Sequence, residues 1–418
     1  MERVLNYDVV VVGGGAAGIA AALSSAKEHK TTLLVEREAS LGGQGVNSQV
    51  ASYCGFYTRG TSPDLVVGGI GKQVLERMGE MGMDITPHPS SSTGNVSIKF
   101  DPEKMKIIFD NLFSESDSDV LLHTSVVSVN VENQNITQII CSDDDGLFTV
   151  NTKEIVDATG NGNILNLAGL TTEWGDKNGQ VQQASLPFRI DHLPKRAISM
   201  AEMQTAVQKG KANGIQYLSK EKGVLIKNPK DSYGYVTLPS VTVEEIDAKS
   251  MTNYEVSLRR QVWSYFKAIK NYLPNCENAT LVFSGPNLGI REARRMVGKI
   301  TLTGLDILKV KKRKDSIGRA AWSPEIHHSD NKLEYNHMPD NDYASIPLGA
   351  LKAKEIKNLW GAGRLISVDH MAQASVRVMG TSFITGQAAG VAAALSVNSD
   401  TISVVEVRNA LLKQNVLL

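Results

Sequence analysis

Three glycines directly after four valines, in the stretch VVVVGGGAAG at residues 9–18, restrict the fold more than any other feature of this chain. A continuous β-branched run is typical of a strand buried on both faces of a parallel sheet. Gly13, Gly15 and Gly18 have the spacing G-x-G-x-x-G between this strand and an apolar helical segment, and a second strand pattern, TTLLV, follows at 31–35. The start of the chain therefore predicts one strand-helix-strand unit.

The glycine spacing indicates what this unit binds. Gly13 permits a tight turn, Gly15 lets a pyrophosphate approach the backbone, and Gly18 lets the helix pack closely on the strand. The free amides at the start of the helix then stabilise the phosphate charge. Glu36 follows the second strand, where its carboxylate can accept hydrogen bonds from an adenosine ribose. The pattern predicts a dinucleotide ligand and, at this point, leaves NAD and FAD open.

Three later segments favour the longer of these ligands. ASLGGQG at 39–45 brings a second glycine pair past the pyrophosphate or the flavin, and IVDATGNG at 155–162 ends a strand on the adenosine side. LWGAGRLIS at 359–367, with GQAAG at 386–390, adds a strand, a turn and a helix whose dipole can face the negative charge of a reduced flavin. An ordinary NAD dehydrogenase needs no such distant closing segment, so the sequence favours FAD.

With these motifs the chain resembles the FAD-dependent oxidoreductases related to the glutathione-reductase and fumarate-reductase flavoprotein groups, in which DATG and a C-terminal AGR…GQAAG recur. The resemblance covers nearly the whole length and includes an arginine-rich segment at 285–308, which we interpret as a helix. One departure is that Asn161 and Asn163 stand where relatives often have aspartates. The resemblance implies that FAD is bound by Gly13, Gly15, Ala16, Ala17, Gly18, Glu36, Arg37, Gly43, Gln44, Val127 (through its backbone), Ala158, Thr159, Gly160, Gly363, Arg364 and Gln387.

The pattern along the chain predicts an α/β protein of two domains. A Rossmann-like FAD-binding domain, with a parallel sheet, helices and an antiparallel β-meander within 119–160, is expected to be discontinuous, over 1–171 and 346–418. An α+β substrate domain over 172–345 is expected to be inserted into it. The segment from Asp101 to Ser116 has helical apolar spacing, with Asp101 as N-cap and Pro102 in the first turn.

Composition excludes several classes of partner. The 44 basic residues balance 44 acidic ones, which gives no electrostatic reason to expect a nucleic acid or an anionic membrane. Cys54, Cys141 and Cys276 are widely spaced, and His327 and His328 lack ligand spacing, so neither a disulfide framework nor a metal site is expected. The sequence predicts a cytoplasmic enzyme with a small-molecule substrate and leaves a homo-oligomer open.

Five residues are candidates for the chemistry. Tyr57, in the loop after Gly43, is either an acid/base group or a packed side chain with a solvated hydroxyl. Arg291 and Arg295, expected on one helical face, either clamp an anionic group or form ion pairs with acids such as Glu292.

The other two candidates lie in SVDHMAQASVRVMG at 367–380, between the last strand and the last long helix. His370 either accepts a proton or forms a structural hydrogen bond, and Arg377 can stabilise a reduced-flavin anion.

The resulting hypothesis is a dehydrogenase or oxidase that transfers a hydride between a small polar, anionic organic substrate and flavin N5. Two alternatives stay open, which are an NAD(P)H-dependent flavin monooxygenase or halogenase and a flavoprotein subunit of an electron-transfer complex.

Overall fold

The computed structural model describes residues 3–90, 93–399 and 401–418. Met1, Glu2, Ser91, Ser92 and Asp400, which fall in the expected FAD-binding domain, lie outside the described residues. The strands are β1 Val4–Val12, β2 Thr32–Val35, β3 Ser52–Cys54, β4 Ser97–Lys99, β5 Ser118–Leu121, β6 Ser125–Glu132, β7 Asn135–Asp143, β8 Gly146–Asp157, β9 Thr172–Glu173, β10 Ala184–Ser185, β11 Phe188–Asp191, β12 Leu225–Ile226, β13 Tyr233–Val236, β14 Ser240–Val241, β15 Thr280–Ser284, β16 Arg295–Met296, β17 Ser316–Ala320, β18 Glu325–His327, β19 Leu333–Tyr335, β20 Ala344–Pro347 and β21 Leu359–Gly361. The helices are α1 Ala16–Lys27, α2 Gly69–Glu80, α3 Pro102–Ser114, α4 Asn163–Leu167, α5 Met200–Ala212, α6 Ala248–Tyr272, α7 Gly304–Leu308, α8 His370–Val376, α9 Met379–Ser396 and α10 Val404–Lys413, with short 3-10 helices at Gly43–Gly45, Leu348–Ala350 and Gly363–Leu365.

The main sheet has the strand order β5-β2-β1-β8-β7-β6, and β21 pairs with β8. Strands β5, β2, β1, β8 and β21 run parallel, whereas β7 pairs antiparallel with the first half of β8 and β6 pairs antiparallel with β7. The long strand β8 therefore joins the meander to the parallel sheet. This arrangement confirms the predicted parallel sheet, with its first strand-helix-strand unit, and the predicted meander.

Helix α9 packs against α1 with almost no space between their backbones. A Cβ atom on Gly386 would lie 2.0 Å from the carbonyl oxygen of Ala17, and one on Gly390 would lie 2.1 Å from that of Ala21. Small residues thus let the two helices approach backbone to backbone, and the end of the chain packs on its beginning. Among the described residues no single helix is long and apolar enough to span a bilayer, and α8 and α9 pass such a test only together, across a bend of 95°.

A second hydrophobic core lies apart from the main core that contains α1 and α9, and we call the part of the chain that forms this second core the inserted unit. Its buried residues fall between Val181 and Ala293, and they include side chains of α5, α6 and the four-stranded sheet β12-β13-β11-β15. Residues from Leu302 to Leu351, by contrast, pack in the main core with α1 and α9. The division at 172 and 345 stays a prediction, and we propose that the inserted unit ends near residue 299.

The arginine-rich segment at 285–308 is not the helix that we expected. Arg295 and Met296 form β16, which pairs antiparallel with β9, and the only helical part is α7 at Gly304–Leu308. Pro286 and the glycines at 285, 289 and 298 interrupt the segment, because neither residue type favours a helix interior. Arg291 and Arg295 therefore do not share a helical face.

Candidate active site

The carboxyl ends of the parallel strands open onto a cavity of about 380 Å³. Val12, Val35 and Ala158 line it at the ends of β1, β2 and β8, which is where ligands bind to open α/β sheets. The predicted cofactor residues that line it are Gly13, Gly15, Ala16, Ala17, Glu36, Arg37, Gly43, Gln44, Ala158, Thr159, Gly160, Gly363 and Arg364.

The glycines of the first turn have different steric roles. Gly13 has a φ of 104°, and a Cβ there would lie 2.6 Å from the carbonyl oxygen of Ala158. A Cβ on Gly18 would lie 1.7 Å from the carbonyl oxygen of Gly13, so Gly18 allows helix packing and does not line the cavity. At Gly15 the nearest atom to such a Cβ is the Cα of Gly43, at 3.8 Å. The two glycine loops thus lie next to each other in the wall of the cavity. No side chain caps α1.

Glu36 is 7% exposed, although its carboxylate lines the cavity. Its Oε2 accepts a hydrogen bond from the backbone N–H of Gly14 at 2.5 Å, and its Oε1 accepts one from that of Glu38 at 2.9 Å. These bonds hold the carboxylate at the end of β2. Each oxygen has further lone pairs for a ligand hydroxyl.

Arg364 brings a positive charge to the same cavity. Its guanidinium lies over Gly160, where a Cβ would come within 2.6 Å of it, and it donates to Asn161 Oδ1 at 2.6 Å. Its Nε is buried and has no partner within the described residues. Burial and the nearby charges of Arg37 and Arg377 lower the pKa of Arg364 to about 10, so it stays protonated at neutral pH. Mutually repelling arginines around an open cavity suit a ligand that carries several negative charges.

Besides Gly18, two of the predicted cofactor residues are not among those that line the cavity. The side chain of Val127 is 44% exposed on β6, and its neighbour Val126 lines the cavity instead. Gln387 is buried in α9, where its Oε1 accepts from the N–H of Ile70 at 2.9 Å and its Nε2 donates to Gln414 at 2.9 Å. The amide of Gln387 therefore ties α9 to α2 and α10, because both of its ends already have protein partners.

Away from the glycine loops, one end of the cavity is lined by Arg377, which belongs to a group of charged and polar side chains. Ile290 and Arg377 line this end, and the carbonyl oxygen of Ile290 accepts from Gln44 Nε2 at 2.5 Å. We call Arg291, Glu325, His327, Tyr335 and Arg377 the charged cluster.

The hairpin β18–β19 supplies the acidic member of the charged cluster. Arg377 Nη2 donates to the backbone carbonyl of Glu325 at 3.1 Å. The carboxylate of Glu325 accepts from the Tyr335 hydroxyl at 3.0 Å, and His327 Nε2 lies 3.2 Å from the same oxygen. Arg291 lies opposite and uses its Nη1 to donate to the carbonyl of Gln183 at 2.6 Å.

The charges in this cluster follow from burial and proximity. Burial alone would raise the pKa of Glu325, but the hydrogen bond from His327 and the charges of Arg377 and Arg291 lower it to about 2. Burial and the charge of Arg291 lower the pKa of His327 to about 3. Burial and the charge of Arg377 lower the pKa of Arg291 to about 10. At neutral pH the cluster therefore holds two positive charges, one negative charge and a neutral histidine.

Arg295 and His370 do not reach the cavity. Arg295 is buried and donates to the carbonyl oxygens of Val368 and Gly175, at 2.9 and 2.8 Å, and to the carboxylate of Glu292. His370 Nδ1 lies 3.0 Å from the same carboxylate oxygen of Glu292. The contacts of Arg295 favour the structural alternative of the sequence analysis, an ion pair with Glu292.

Tyr57 also lies away from the cavity. It is half-buried against the main core and forms an isolated backbone bridge with Leu65. Burial raises the pKa of its hydroxyl, which disfavours proton release near neutral pH. Of the five catalytic candidates, only Arg377 lines the cavity, and Arg291 lies next to it.

The sequence from residue 8 to residue 415 matches the model of the family of FAD dependent oxidoreductases. The chain belongs to this family. No curated protein sequence gives a significant match.

The FAD-dependent oxidoreductase fold is also found among solved structures. BexE matches with a TM-score of 0.50 and 10% identity over 98% of this chain and 66% of its own. Further matches are a geranylgeranyl bacteriochlorophyll reductase-like protein from Thermoplasma acidophilum (TM-score 0.49, 14% identity, 97% of this chain and 82% of that one) and p-nitrophenol 4-monooxygenase PnpA from Pseudomonas putida (0.47, 11%, 99% and 85%). At such low identity the match to BexE shows a shared fold.

FAD is the cofactor of this oxidoreductase, and the cavity has the donors to hold it. The backbones of Gly15 and Gly43 line the cavity without side chains, and the unpartnered Nε of Arg364 is a buried donor without an acceptor. Glu36 offers a fixed carboxylate for ribose hydroxyls. When bound there, FAD would supply the redox centre of the reaction.

The residues that sequence reasoning missed are Glu325, Tyr335 and Gln183. For the segments that contain these three residues, the sequence predicts neither a helix nor a strand near the cofactor. Glu325 and His327 stand together in SPEIHHSD, but nothing in that string indicates two arginines from distant segments.

Proposed function

We propose that this FAD-dependent oxidoreductase transfers a hydride between a small anionic organic substrate and its flavin, with Arg291 and Arg377 binding the substrate's negative charge. The observation that carries this proposal is that Arg377 lines the cavity and Arg291 lies near it, while the carboxylate whose charge acts on both, that of Glu325, forms no ion pair with either among the described residues. Arg377 Nε is buried without a partner in the part of the chain that the structure describes. An anionic ligand would supply both the missing acceptor and the missing charge.

The neighbouring groups support binding and orientation. The backbone carbonyl of Glu325 accepts a hydrogen bond from Arg377 and that of Gln183 accepts one from Arg291, so each arginine is held at a defined position. Burial strengthens the attraction between the arginines and an anion, because little water remains to screen it. Neutral His327 has no charge with which to repel or attract the substrate at pH 7.

A substrate screen without oxygen tests this proposal. Purified holoenzyme is mixed with organic acids and with their neutral esters, and the visible flavin absorbance is followed. We expect bleaching by one or more acids and not by the matching esters. Arg377→Gln and Arg291→Gln should each lower kcat/KM for that acid by about 100-fold, which corresponds to the loss of one hydrogen bond between charged groups in a buried site.

Arg77→Gln is the matched control, because Arg77 forms its ion pairs with Glu80 and Glu115 on the surface. Equal bleaching by acids and esters would contradict the anionic substrate. Rapid bleaching by NADPH alone, with oxygen-dependent turnover, would instead identify the monooxygenase or halogenase alternative.

A further inference from the structure

One part of the cavity wall belongs to the inserted unit. Asn287, Leu288 and Ile290 line the cavity, and we call the segment 285–290 that contains them the strap. Leu288 and Ile290 are also buried in the second hydrophobic core. Glu255 of α6 lines the cavity as well. The cavity therefore has a wall that the glycine motifs of the FAD-binding sheet do not supply.

Two side chains of the loop after Gly43 are hydrogen-bonded to the strap. Gln44 Nε2 donates to the carbonyl of Ile290 at 2.5 Å. Ser48, which is 2% exposed, uses its Oγ to donate to the carbonyl of Leu288 at 3.2 Å. Gln44 and Ser48 both line the cavity. The loop that carries Gly43 is thus joined to the inserted unit at the cavity itself.

The backbones of the strap and this loop are also in contact. The N–H of Asn287 donates to the carbonyl of Asn47 at 3.3 Å. A Cβ atom on Gly285 would lie 3.0 Å from the carbonyl carbon of Ser48, closer than most Cβ atoms approach. Glycine at this position therefore lets the strap lie directly on the loop. Three hydrogen bonds and a close backbone contact keep this side of the cavity closed.

Glu255 holds the strap from the side of α6. Its Oε1 accepts from the N–H of Leu288 at 2.7 Å, and its Oε2 lies 3.4 Å from Nη1 of Arg259 on the same helix. The side chain of Glu255 is 17% exposed. Because its negative charge does not attract the diphosphate of FAD, its contribution to the cavity is to position the strap.

The side-chain amide of Asn287 forms no hydrogen bond within the described residues, although the residue is half-buried and lines the cavity. A carboxamide offers two N–H donors and an acceptor oxygen. FAD presents acceptors on its diphosphate, and both donors and acceptors on its hydroxyl groups and its two heterocycles. Asn287 therefore has the free hydrogen-bonding capacity that a contact with the cofactor requires.

We propose that the strap is a clasp that retains FAD. Asn287 forms a hydrogen bond with the bound cofactor, and the hydrogen bonds from Gln44 and Ser48 to the strap must open before FAD enters or leaves. The inference goes beyond the proposed function, since it requires no anionic substrate. Opening the strap costs the hydrogen bonds that hold it, so these bonds slow both entry and release. The contact from Asn287 exists only with FAD bound, so it slows release alone.

The rates of cofactor exchange separate these two roles. The holoenzyme is mixed with an excess of isotope-labelled FAD, and native mass spectrometry follows the replacement of the bound cofactor, which gives the release rate. Uptake of FAD by the FAD-free protein, read from the quenching of FAD fluorescence, gives the entry rate. Urea unfolding of each FAD-free variant shows that the rates are compared between folded proteins.

Asn287→Ala tests the contact with the cofactor. We expect release to become about fivefold faster, through the loss of one hydrogen bond, while entry keeps the wild-type rate. Asn253→Ala is the matched control, because Asn253 is exposed on α6 and does not line the cavity. A release rate equal to that of wild type would overturn the contact from Asn287.

Ser48→Ala tests the clasp. We expect entry and release both to become about fivefold faster, with little change in the Kd for FAD. Ser114→Ala is the matched control, since Ser114 also donates to a backbone carbonyl, that of Asn111 at 2.9 Å, but on the surface of α3. Faster release with unchanged entry would overturn the clasp, because an ordinary contact with the cofactor gives that pattern.

Glu255 provides a second test of the clasp that leaves the loop after Gly43 intact. Glu255→Gln keeps an acceptor for the N–H of Leu288, whereas Glu255→Ala does not. We expect the alanine variant to speed both entry and release and the glutamine variant to release FAD no faster than wild type. Equal release rates in the two variants would contradict the role of Glu255. None of these measurements uses a substrate, so their outcome is independent of the proposed function.

Discussion

At the cofactor end of the cavity two glycine loops bring backbone atoms close together, whereas the far end borders on the charged cluster. At the first end, glycines 13, 15 and 43 bring main-chain atoms close together, and each belongs to a short contiguous motif. At the far end, Arg291, Glu325 and Arg377 come from segments that are separated by more than thirty residues. The cofactor end therefore depends on steric space, and the far end depends on the balance of buried charge.

The largest expected effect comes from disturbing the close packing at the cofactor end. In Gly18→Ala the new Cβ would lie 1.7 Å from the carbonyl oxygen of Gly13, so α1 must move away from β1. We expect the free energy of unfolding to fall by about 3 kcal/mol, the upper end for overpacking a core. Urea unfolding of the FAD-free protein measures this. A loss below about 0.5 kcal/mol would show that the helix and strand are less tightly packed than the structure indicates.

The second effect comes from removing the charge of Glu325 in the charged cluster, and it depends on pH. The pKa of Glu325 is lower in the folded protein than its ordinary value of 4.5, so the ionised carboxylate stabilises the fold above that value. This contribution is lost as the pH falls from about 5 to 2. With a folded pKa of about 2, it amounts to at most about 3 kcal/mol.

Glu325→Gln should therefore be less stable than wild type at pH 7, with the difference shrinking toward pH 2 in urea unfolding at each pH. Glu80→Gln serves as the surface control, because Glu80 is exposed beside Arg77. A stability difference that does not vary with pH would mean that the charge of Glu325 contributes nothing to the fold.

A third change separates cofactor binding from folding. Gly15→Ala adds a methyl group whose nearest neighbour is 3.8 Å away, at a φ of −77° that any residue adopts. We expect the FAD-free protein to keep its stability to within about 0.5 kcal/mol. The Kd for FAD should rise at least tenfold, because the methyl group fills space that the diphosphate needs. Quenching of FAD fluorescence gives the Kd, and unchanged affinity would place the diphosphate elsewhere.

The smallest effect sharpens the description of the charged cluster. Tyr335→Phe removes the hydroxyl that donates to Glu325 at 3.0 Å, while the ring remains in place. We expect a loss of about 1 kcal/mol in stability at pH 7, because the tyrosine is partly exposed. The affinity for FAD should not change. A measurable change in that affinity would show that the two ends of the cavity are coupled.

Much of the cofactor end can be predicted from the sequence because its signals are local. The strand before Gly13, the turn and the helix after it follow from composition and spacing over fewer than thirty residues. The helix at 102–114 is equally local, and Asp101 caps it by accepting from the N–H of Glu103 at 2.9 Å. Gln387 is the exception, because its partners on α2 and α10 cannot be inferred from the motif around it.

The far end cannot be predicted in the same way. The spacing of Arg291 and Arg295 suggests one helical face, but proline and glycines interrupt the segment and Arg295 lies in β16. The position of Glu325 between Arg291 and Arg377 depends on how the β18–β19 hairpin packs on α8, and no single segment encodes that contact. Which residues carry the chemistry stays a prediction for the same reason.

The contact of α9 with α1 has a consequence for biosynthesis. Gly386 and Gly390 touch the first helix through its backbone, yet they are translated more than 350 residues later. Until then the small-residue face of α1 has no partner, and the strand and turn that carry Gly363 are missing from the nascent chain. Vectorial folding on the ribosome can therefore complete the inserted unit first, whereas loading of the flavin must wait until translation has reached the last helices.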